Sequence, residues 1–278
     1  MFKSDDFLTI NWTDEFLKER IDLTRVWTTL DNGIEIHELQ LNRIDEVMEM
    51  IKKYYIIEEP LMDRSQMFID DKSVEEYLYL AQHWIMNTLS TIAVEQETGN
   101  IVGFLINKFN HAIDKNREFS KERIYEGKIW NELQTFKHYL TKRGNAFEHH
   151  NVQSVLEIYL WFVLPSYRNK GIGKELLRNV MLRQLPEYEW SNINVITGVF
   201  TSKVSQHIAE SLGMETLYDF LYEEWILKNK VNDKHEEFFK KTTSNNYSAK
   251  VMSKFNTTSI LTQLRESQSQ EPRAERNE

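Results

Sequence analysis

The chain has 278 residues, 41% apolar and 28% charged, which is ordinary for a globular protein able to bury a core. Its formal net charge of −9 argues against a general affinity for nucleic acid, whose phosphates require clustered Lys and Arg. With no cysteine, disulfides, Cys-based zinc sites and a thiol nucleophile are all excluded.

Residues 1–6 lack the apolar core of a signal peptide, and the longest apolar run, residues 158–164, is far too short to span a bilayer. The expectation is a cytoplasmic protein without a membrane segment, in which the sequons at Asn11, Asn246 and Asn256 are chance matches. Residues 14–22 have weak helical spacing. Two alternating runs, 25–30 and 34–37, flank Asp31-Asn32-Gly33 and predict a hairpin. Leu41, Ile44, Val47, Met48 and Ile51 recur at helical spacing over 41–55, and Pro60 closes the stretch that follows. Ser73, with Glu76 three residues on, predicts the start of a second helix that runs to about residue 87.

Strands are predicted at 91–94 and 101–106, around a turn at 97–100. Residues 110–150 are polar, but Ile124, Ile129, Leu133, Phe136 and Leu140 have helical spacing, so this stretch reads as a helical insert. A strand at 154–164, a helix at about 171–184, a strand at 192–199, a helix at 203–212 and a final strand pair within 216–228 follow. From about Val231 the composition turns polar and cannot bury enough surface to offset ordering entropy, so residues 231–278 read as a disordered tail. The organisation expected is an N-terminal helix and strand (1–33) packed on a domain over 34–230, then the tail.

The segment that carries chemistry is Phe162-Val163-Leu164-Pro165-Ser166-Tyr167-Arg168-Asn169-Lys170-Gly171-Ile172-Gly173-Lys174. An apolar strand ends at a proline, a basic glycine-containing turn follows, and an amphipathic helix begins at once. Helix N-termini offer unpaired N–H groups and a positive dipole end to phosphate oxygens. Gly171 and Gly173 permit close backbone approach, and Arg168, Lys170 and Lys174 add positive charge. This chemistry suits a diphosphate without naming one, and a plain strand–helix turn with incidental glycines fits a bare Gly-x-Gly at least as well. The spacing matches neither a P-loop nor a dinucleotide fingerprint.

Arg168-Asn169-Lys170-Gly171-Ile172-Gly173 resembles the Gln/Arg-x-x-Gly-x-Gly/Ala coenzyme-A signature of the GNAT acetyltransferases, and residues 163–168 resemble its Val-x-Pro-x-Tyr-Arg lead-in. Ile208-Ala209-Glu210-Ser211-Leu212-Gly213-Met214 resembles the family's Leu-Gly-Phe helix end. The resemblance implies an α/β (α+β) GNAT fold: a mixed central sheet of about seven strands, splayed at the coenzyme-A strand and flanked by helices. It implies acetyl-CoA as cosubstrate, bound by the segment from Arg168 through Asn169, Lys170, Gly171, Ile172 and Gly173 to Lys174. Backbone groups of Trp161, Phe162 and Val163 would hold the pantetheine, while the side chains of Trp161 and Phe162 read as core.

Tyr54-Tyr55-Ile56-Ile57-Glu58-Glu59-Pro60-Leu61 resembles the Phe-x-Asp-Glu-Pro-Leu element of arthropod arylalkylamine N-acetyltransferases, which implies Glu59 as catalytic base. Read alone, Glu58-Glu59 is more readily a solvated helix end. The same branch implies Thr201 and Ser205 as catalytic hydroxyls, four apart on one helix face. The residue before the second hydroxyl, often aromatic there, is Val204, and the tyrosine that serves as acid in many family members is replaced by Ala209. Tyr54, Tyr55, Trp84, Trp130, Trp161 and Phe200 are candidates for an aryl pocket, though such residues are more often core. His149-His150 falls in a polar loop, and no spacing of the histidines suggests a metal site.

The resemblance thus implies transfer of an acetyl group to the amine of a small molecule by direct attack on the thioester. Alternatives are longer acyl-CoA donors, polyamine acceptors, or a non-catalytic coenzyme-A-binding protein.

Overall fold

The computed structural model describes residues 25–88, 90–113, 125–187, 193–228, 235–239 and 246–256. The helix expected at 14–22 lies outside the described residues. Strands β1 (Val26–Thr29) and β2 (Ile34–Glu38) form the expected hairpin, with Gly33 in the left-handed region at φ 76°. Helix α1 (Ile44–Met50) turns Ile44, Val47 and Met50 inward, then widens into a π turn (Ile51–Tyr55) and ends with Ile56–Glu58. After Glu59 the short helix α2 (Pro60–Ser65) begins.

Helix α3 (Asp71–Asn87) starts earlier than the sequence suggests. Its N-cap is Asp70, whose carboxylate accepts from the Ser73 N–H at 3.3 Å, so Ser73 lies inside the first turn. Strands β3 (Thr91–Glu95) and β4 (Ile101–His111) follow, then the insert helices α4 (Lys128–Arg143) and α5 (Ala146–His150). The remainder runs β5 (Ser154–Val163), α6 (Ile172–Asn179) with a π turn at Val180–Gln184, β6 (Val195–Phe200), α7 (Lys203–Ser211), β7 (Glu215–Leu221), β8 (Ile226–Lys228), β9 (His235–Glu237) and β10 (Ser248–Phe255).

The sheet has eight strands in the order β1-β2-β3-β4-β5-β6-β10-β7, and the β5–β6 pairing alone is parallel. One core gathers α1, α3 and α4 (Val47, Ile51, Tyr77, Trp130, Phe136), and the other lies under α6 (Ile172, Leu176, Leu177, Val180). The fold is the mixed, helix-flanked sheet expected, with one strand more than the seven anticipated.

That extra strand corrects the reading of the C-terminal region. Residues 248–255 are not tail. β10 pairs with β6 from Lys250↔Phe200 to Phe255↔Val195 and with β7 from Ser248↔Leu221 to Ser253↔Glu215. Nor do β7 and β8 pair, as the expected final strand pair required: β8 joins β9 in a separate two-stranded sheet.

Strand β5 sets the geometry on which the site depends. It pairs with β6 only at Leu156↔Ile196, Glu157↔Thr197 and Ile158↔Gly198. Opposite β4 the register jumps from Asn107↔Ile158 to Ile106↔Leu160, which leaves Tyr159 as an extra residue. One added residue inverts the alternation of faces. Leu156 and Ile158 therefore belong to the core under α6, whereas Leu160 and Phe162 belong to the other. Beyond the bulge, β5 keeps β4 on one side and parts from β6 on the other.

The insert is anchored through its backbone. Helix α4 has no side-chain cap of its own, and α3 caps it instead. Glu76 accepts from the N–H groups of Glu126 and Gly127 at 2.9 and 3.0 Å, Asp70 accepts from Ile129 N–H at 3.3 Å, and Ser73 Oγ accepts from Trp130 N–H at 2.9 Å. Only glycine fits at 127, since a Cβ there would stand 2.5 Å from Ser73 Cα.

Candidate active site

Pro60 explains the position of Glu59. A residue before proline is driven out of the helical region, and Glu59 stands at φ −67° and ψ 127°. Helix α1 ends there, Pro60 takes the first position of α2, and the Glu59 carboxylate accepts from Met62 N–H at 2.9 Å. The sequence alternative of a solvated helix end does not hold, because Glu59 is 8% exposed.

Burial raises the pKa of Glu59 above the ordinary glutamate range. Lys137 on α4, a hydrogen bond from the Thr201 hydroxyl, and the backbone N–H groups of Met62 and Leu61 pull in the opposite direction without cancelling the rise. Three buried tyrosines, Tyr55, Tyr77 and Tyr222, surround the carboxylate, and burial and its negative charge hold their hydroxyls protonated. The Tyr77 and Tyr55 hydroxyls are hydrogen-bonded to each other, and the Tyr222 hydroxyl donates to the Thr201 carbonyl at 2.6 Å. A carboxylate of raised pKa is a stronger base than an exposed glutamate.

Thr201 and Ser205 do not share a helix face. Thr201 precedes the N-cap Ser202, in the turn after β6, with its side chain on Glu59. Ser205 closes a capping box: its N–H donates to Ser202 Oγ at 3.1 Å, and its Oγ accepts from Ser202 N–H at 3.3 Å. The structure thus brings Thr201, but not Ser205, onto Glu59.

Of the aryl-pocket candidates, Tyr55 packs edge-on against Phe162 at 5.9 Å, and Trp84 lies 3.8 Å from Tyr159, centroid to centroid. Trp130 is wholly buried, and Trp161 meets Phe200 on the opposite face of the sheet. The side chain of Phe162 is core, as expected, and that of Trp161 is partly buried against the α6 core. Sequence reasoning missed Tyr77, Lys137 and Tyr222, which reach Glu59 from three separate elements and share no local pattern with it.

The glycine turn has the expected form. Asn169 and Gly171 adopt positive φ, 62° and 79°, and α6 starts at Gly171 without a side-chain cap. Lys170 and Lys174 are exposed there, while the side chain of Ile172 is buried, leaving its backbone to the turn. Gly173 lies 3.7 Å, measured from a built Cβ, from the Trp161 ring, so a small side chain fits but a long one would crowd it. Arg168 Nε donates to the Val163 carbonyl at 2.9 Å, and its guanidinium pairs with Glu58 at 2.5 Å. Glu58 is thus a tether between this turn and the end of α1, not a loose flanking charge.

The sequence matches the profile of the acetyltransferase (GNAT) family over residues 49–214. The chain belongs to that family. No curated protein matches the sequence significantly. Among solved structures, similar folds include arylalkylamine N-acetyltransferase 2 of Aedes aegypti, with 20% identity, TM-score 0.68 and coverage of 81% of this chain and 99% of that one. Another Aedes aegypti structure, assigned provisionally as arylalkylamine N-acetyltransferase 7, has 18% identity, TM-score 0.69 and coverage of 84% and 96%. Polyamine N-acetyltransferase of Drosophila melanogaster, which forms N-acetylagmatine, has 14% identity, TM-score 0.63 and coverage of 80% and 99%. At these identities the likeness establishes the GNAT fold.

The residues fit the coenzyme A that GNAT proteins bind: a helix start with no side-chain cap, glycine at a left-handed position, and exposed basic side chains around it. Arg168→Ala is expected to weaken coenzyme A binding by about 1–3 kcal/mol, the scale of a charge-assisted hydrogen bond. Gly171→Val, which forces a β-branched residue to φ 79°, is expected to abolish it. Calorimetric titration checks both, and unchanged affinity in the two variants would contradict the assignment.

Proposed function

We propose that this GNAT chain is an acetyl-CoA-dependent N-acetyltransferase acting on the amine of a small, arylalkylamine-like molecule in the cytoplasm. The observation that carries the reading is Glu59, a buried carboxylate of raised pKa, walled by aromatic residues and bonded by Thr201 where β5 and β6 part. An alkylamine is protonated near neutral pH and attacks only after losing a proton. Glu59 accepts that proton, directly or through a water, and the Thr201 hydroxyl orients the carboxylate. Ser205 is a positioning residue: its capping box fixes the start of α7 and hence the turn that carries Thr201.

Coenzyme A, when bound, supplies the activated acyl thioester. Backbone groups of Trp161, Phe162 and Val163, on the edge of β5 that β6 leaves, hold the pantetheine, and one N–H polarises the thioester carbonyl. The Arg168–Lys174 segment holds the diphosphate.

Both arylalkylamine and polyamine acetyltransferases occur among the similar structures. Two lysines favour the first class. Lys137 and Lys108 stand 5.1 and 5.8 Å from the centroid of the Tyr159 ring, so a polycationic acceptor would bring further positive charge beside theirs, whereas an aryl group brings none. The test is an assay of purified protein with acetyl-CoA and a panel of arylalkylamines and polyamines, read by free thiol release. Amine-dependent release, faster with arylalkylamines, is expected. No release with any amine would leave a coenzyme-A-binding protein without this activity.

Lys137 also sets a pH expectation. It is the largest influence lowering the pKa of Glu59, so Lys137→Met should raise that pKa further. Activity that requires the carboxylate is lost as pH falls through this pKa, so the acid limb of the pH–rate profile should move to higher pH. An unmoved limb would show that Lys137 does not act on the base.

A further inference from the structure

The last turn of the insert gathers three metal-ligating groups away from Glu59. Helix α5 is fixed at both ends: Asn145 accepts from Phe147 N–H at 3.2 Å, and Asn151 closes the helix in the left-handed region at φ 53°. His149 and His150 are thereby presented on a helix end, not in the loop their sequence suggests. Their ring planes are near perpendicular, at 85°. Glu215 opens β7 and pairs across the sheet with Ser253 of β10.

Nε2 of His149 lies 3.1 Å from Glu215 Oε1, and Nε2 of His150 lies 3.8 Å from the same oxygen. All three ligand atoms stand within 4.8 Å of one another. Donors around a tetrahedral ion with bonds of about 2.0–2.1 Å stand roughly 3.3–3.5 Å apart, so small rotations of these side chains bring them to one centre. A single hydrogen bond accounts for the contact between His149 and Glu215. His150 Nε2 faces the same oxygen while hydrogen-bonding the Ser253 hydroxyl at 2.7 Å.

We propose that His149, His150 and Glu215 form a binding site for a divalent transition-metal ion of the zinc class, which ties the insert to β7. The donor set selects the ion. Two imidazoles and one carboxylate suit zinc, nickel or cobalt, whereas magnesium and calcium want oxygen throughout and copper(I) wants sulfur. His149 and Glu215 are about half exposed, at 47% and 55%, leaving the remaining coordination positions open to water. On binding, the ion would replace the Ser253 hydroxyl as the partner of His150 Nε2. The sequence hides this arrangement, because Glu215 is 66 residues from His149.

The ion would cross-link two elements remote in sequence, so binding should stabilise the fold by mass action. The test uses the full chain, freed of any affinity tag and treated with chelator, then titrated with zinc and, separately, magnesium. Zinc should bind with one-to-one stoichiometry and raise Tm by several degrees, and magnesium should do neither. His149→Ala and Glu215→Ala change exposed positions and should fold, but each should weaken zinc binding at least ~10-fold, as loss of a ligand or its support does. Bound cobalt should show visible absorption that both variants lose. Absence of saturable zinc binding, or zinc affinity unchanged in both variants, would overturn the site. Acetyl transfer is no part of the readout, so the outcome is independent of the role of Glu59.

Discussion

A chain cut after Lys230 is expected not to form a stable fold, although the sequence beyond that point is polar. The cut removes β10, which lies between β6 and β7 and joins them. Ala249, Val251 and Met252 are at most 2% exposed, and they serve both cores: Ala249 and Val251 one, Met252 the other. Asn256 Nδ2 donates to the Met181 carbonyl at 2.6 Å, and Thr197 Oγ1 donates to the Met252 carbonyl at 3.0 Å. Deleting one large buried side chain costs about 2–5 kcal/mol, and a domain is stable by only about 5–15 kcal/mol. Removing the whole strand also strips the partners from two strand edges. Circular dichroism melts of chain 1–230 and the full chain check this. If the two melt within a few degrees of each other, β10 is not integral to the sheet.

Glu59→Gln is expected to do two opposite things. It keeps size and shape, and the Gln oxygen can still accept from Met62 N–H, so α2 keeps its cap. The proton acceptor is gone, and acetyl transfer should fall by roughly 10²–10⁴, the usual contribution of a general base. Coenzyme A affinity should hardly change. Stability above the raised pKa should increase, because the native carboxylate is charged and buried there. The folded chain holds the Glu59 proton to higher pH than the unfolded chain, since burial raises the pKa. The stability gained by Gln should therefore be full above the raised pKa and shrink as pH falls toward the ordinary glutamate value. Melting curves over a pH series check the sign. A variant less stable than the native chain at every pH would show that the carboxylate contributes more through its bonds than its burial costs.

What could be read in the sequence was local. The turn around Gly171 is a strand end, a left-handed glycine and a helix start in consecutive residues, so its chemistry is written in one segment. Glu59 was legible for the same reason: Pro60 dictates its backbone and its role at the start of α2. Thr201 was found through a spacing that does not apply, since it precedes Ser202 and lies outside the helix. Strand β10 was missed because Lys250, Ser253 and Lys254 give it a polar composition, and a register shift between Val251 and Met252 breaks the two-residue alternation. Lys137, Tyr77 and Tyr222 reach Glu59 through tertiary packing, for which no local pattern stands proxy.

The pH–rate profile of amine-dependent thiol release, measured for the native chain and Glu59→Gln, tests the role of Glu59 most directly. The native profile should fall on the acid side with a midpoint above the ordinary glutamate range, as burial of the carboxylate requires. The variant should be slower by roughly 10²–10⁴, lack that limb, and gain activity only as pH approaches the pKa of the amine itself. A variant with the native rate and the native acid limb would contradict the assignment of Glu59 as the base.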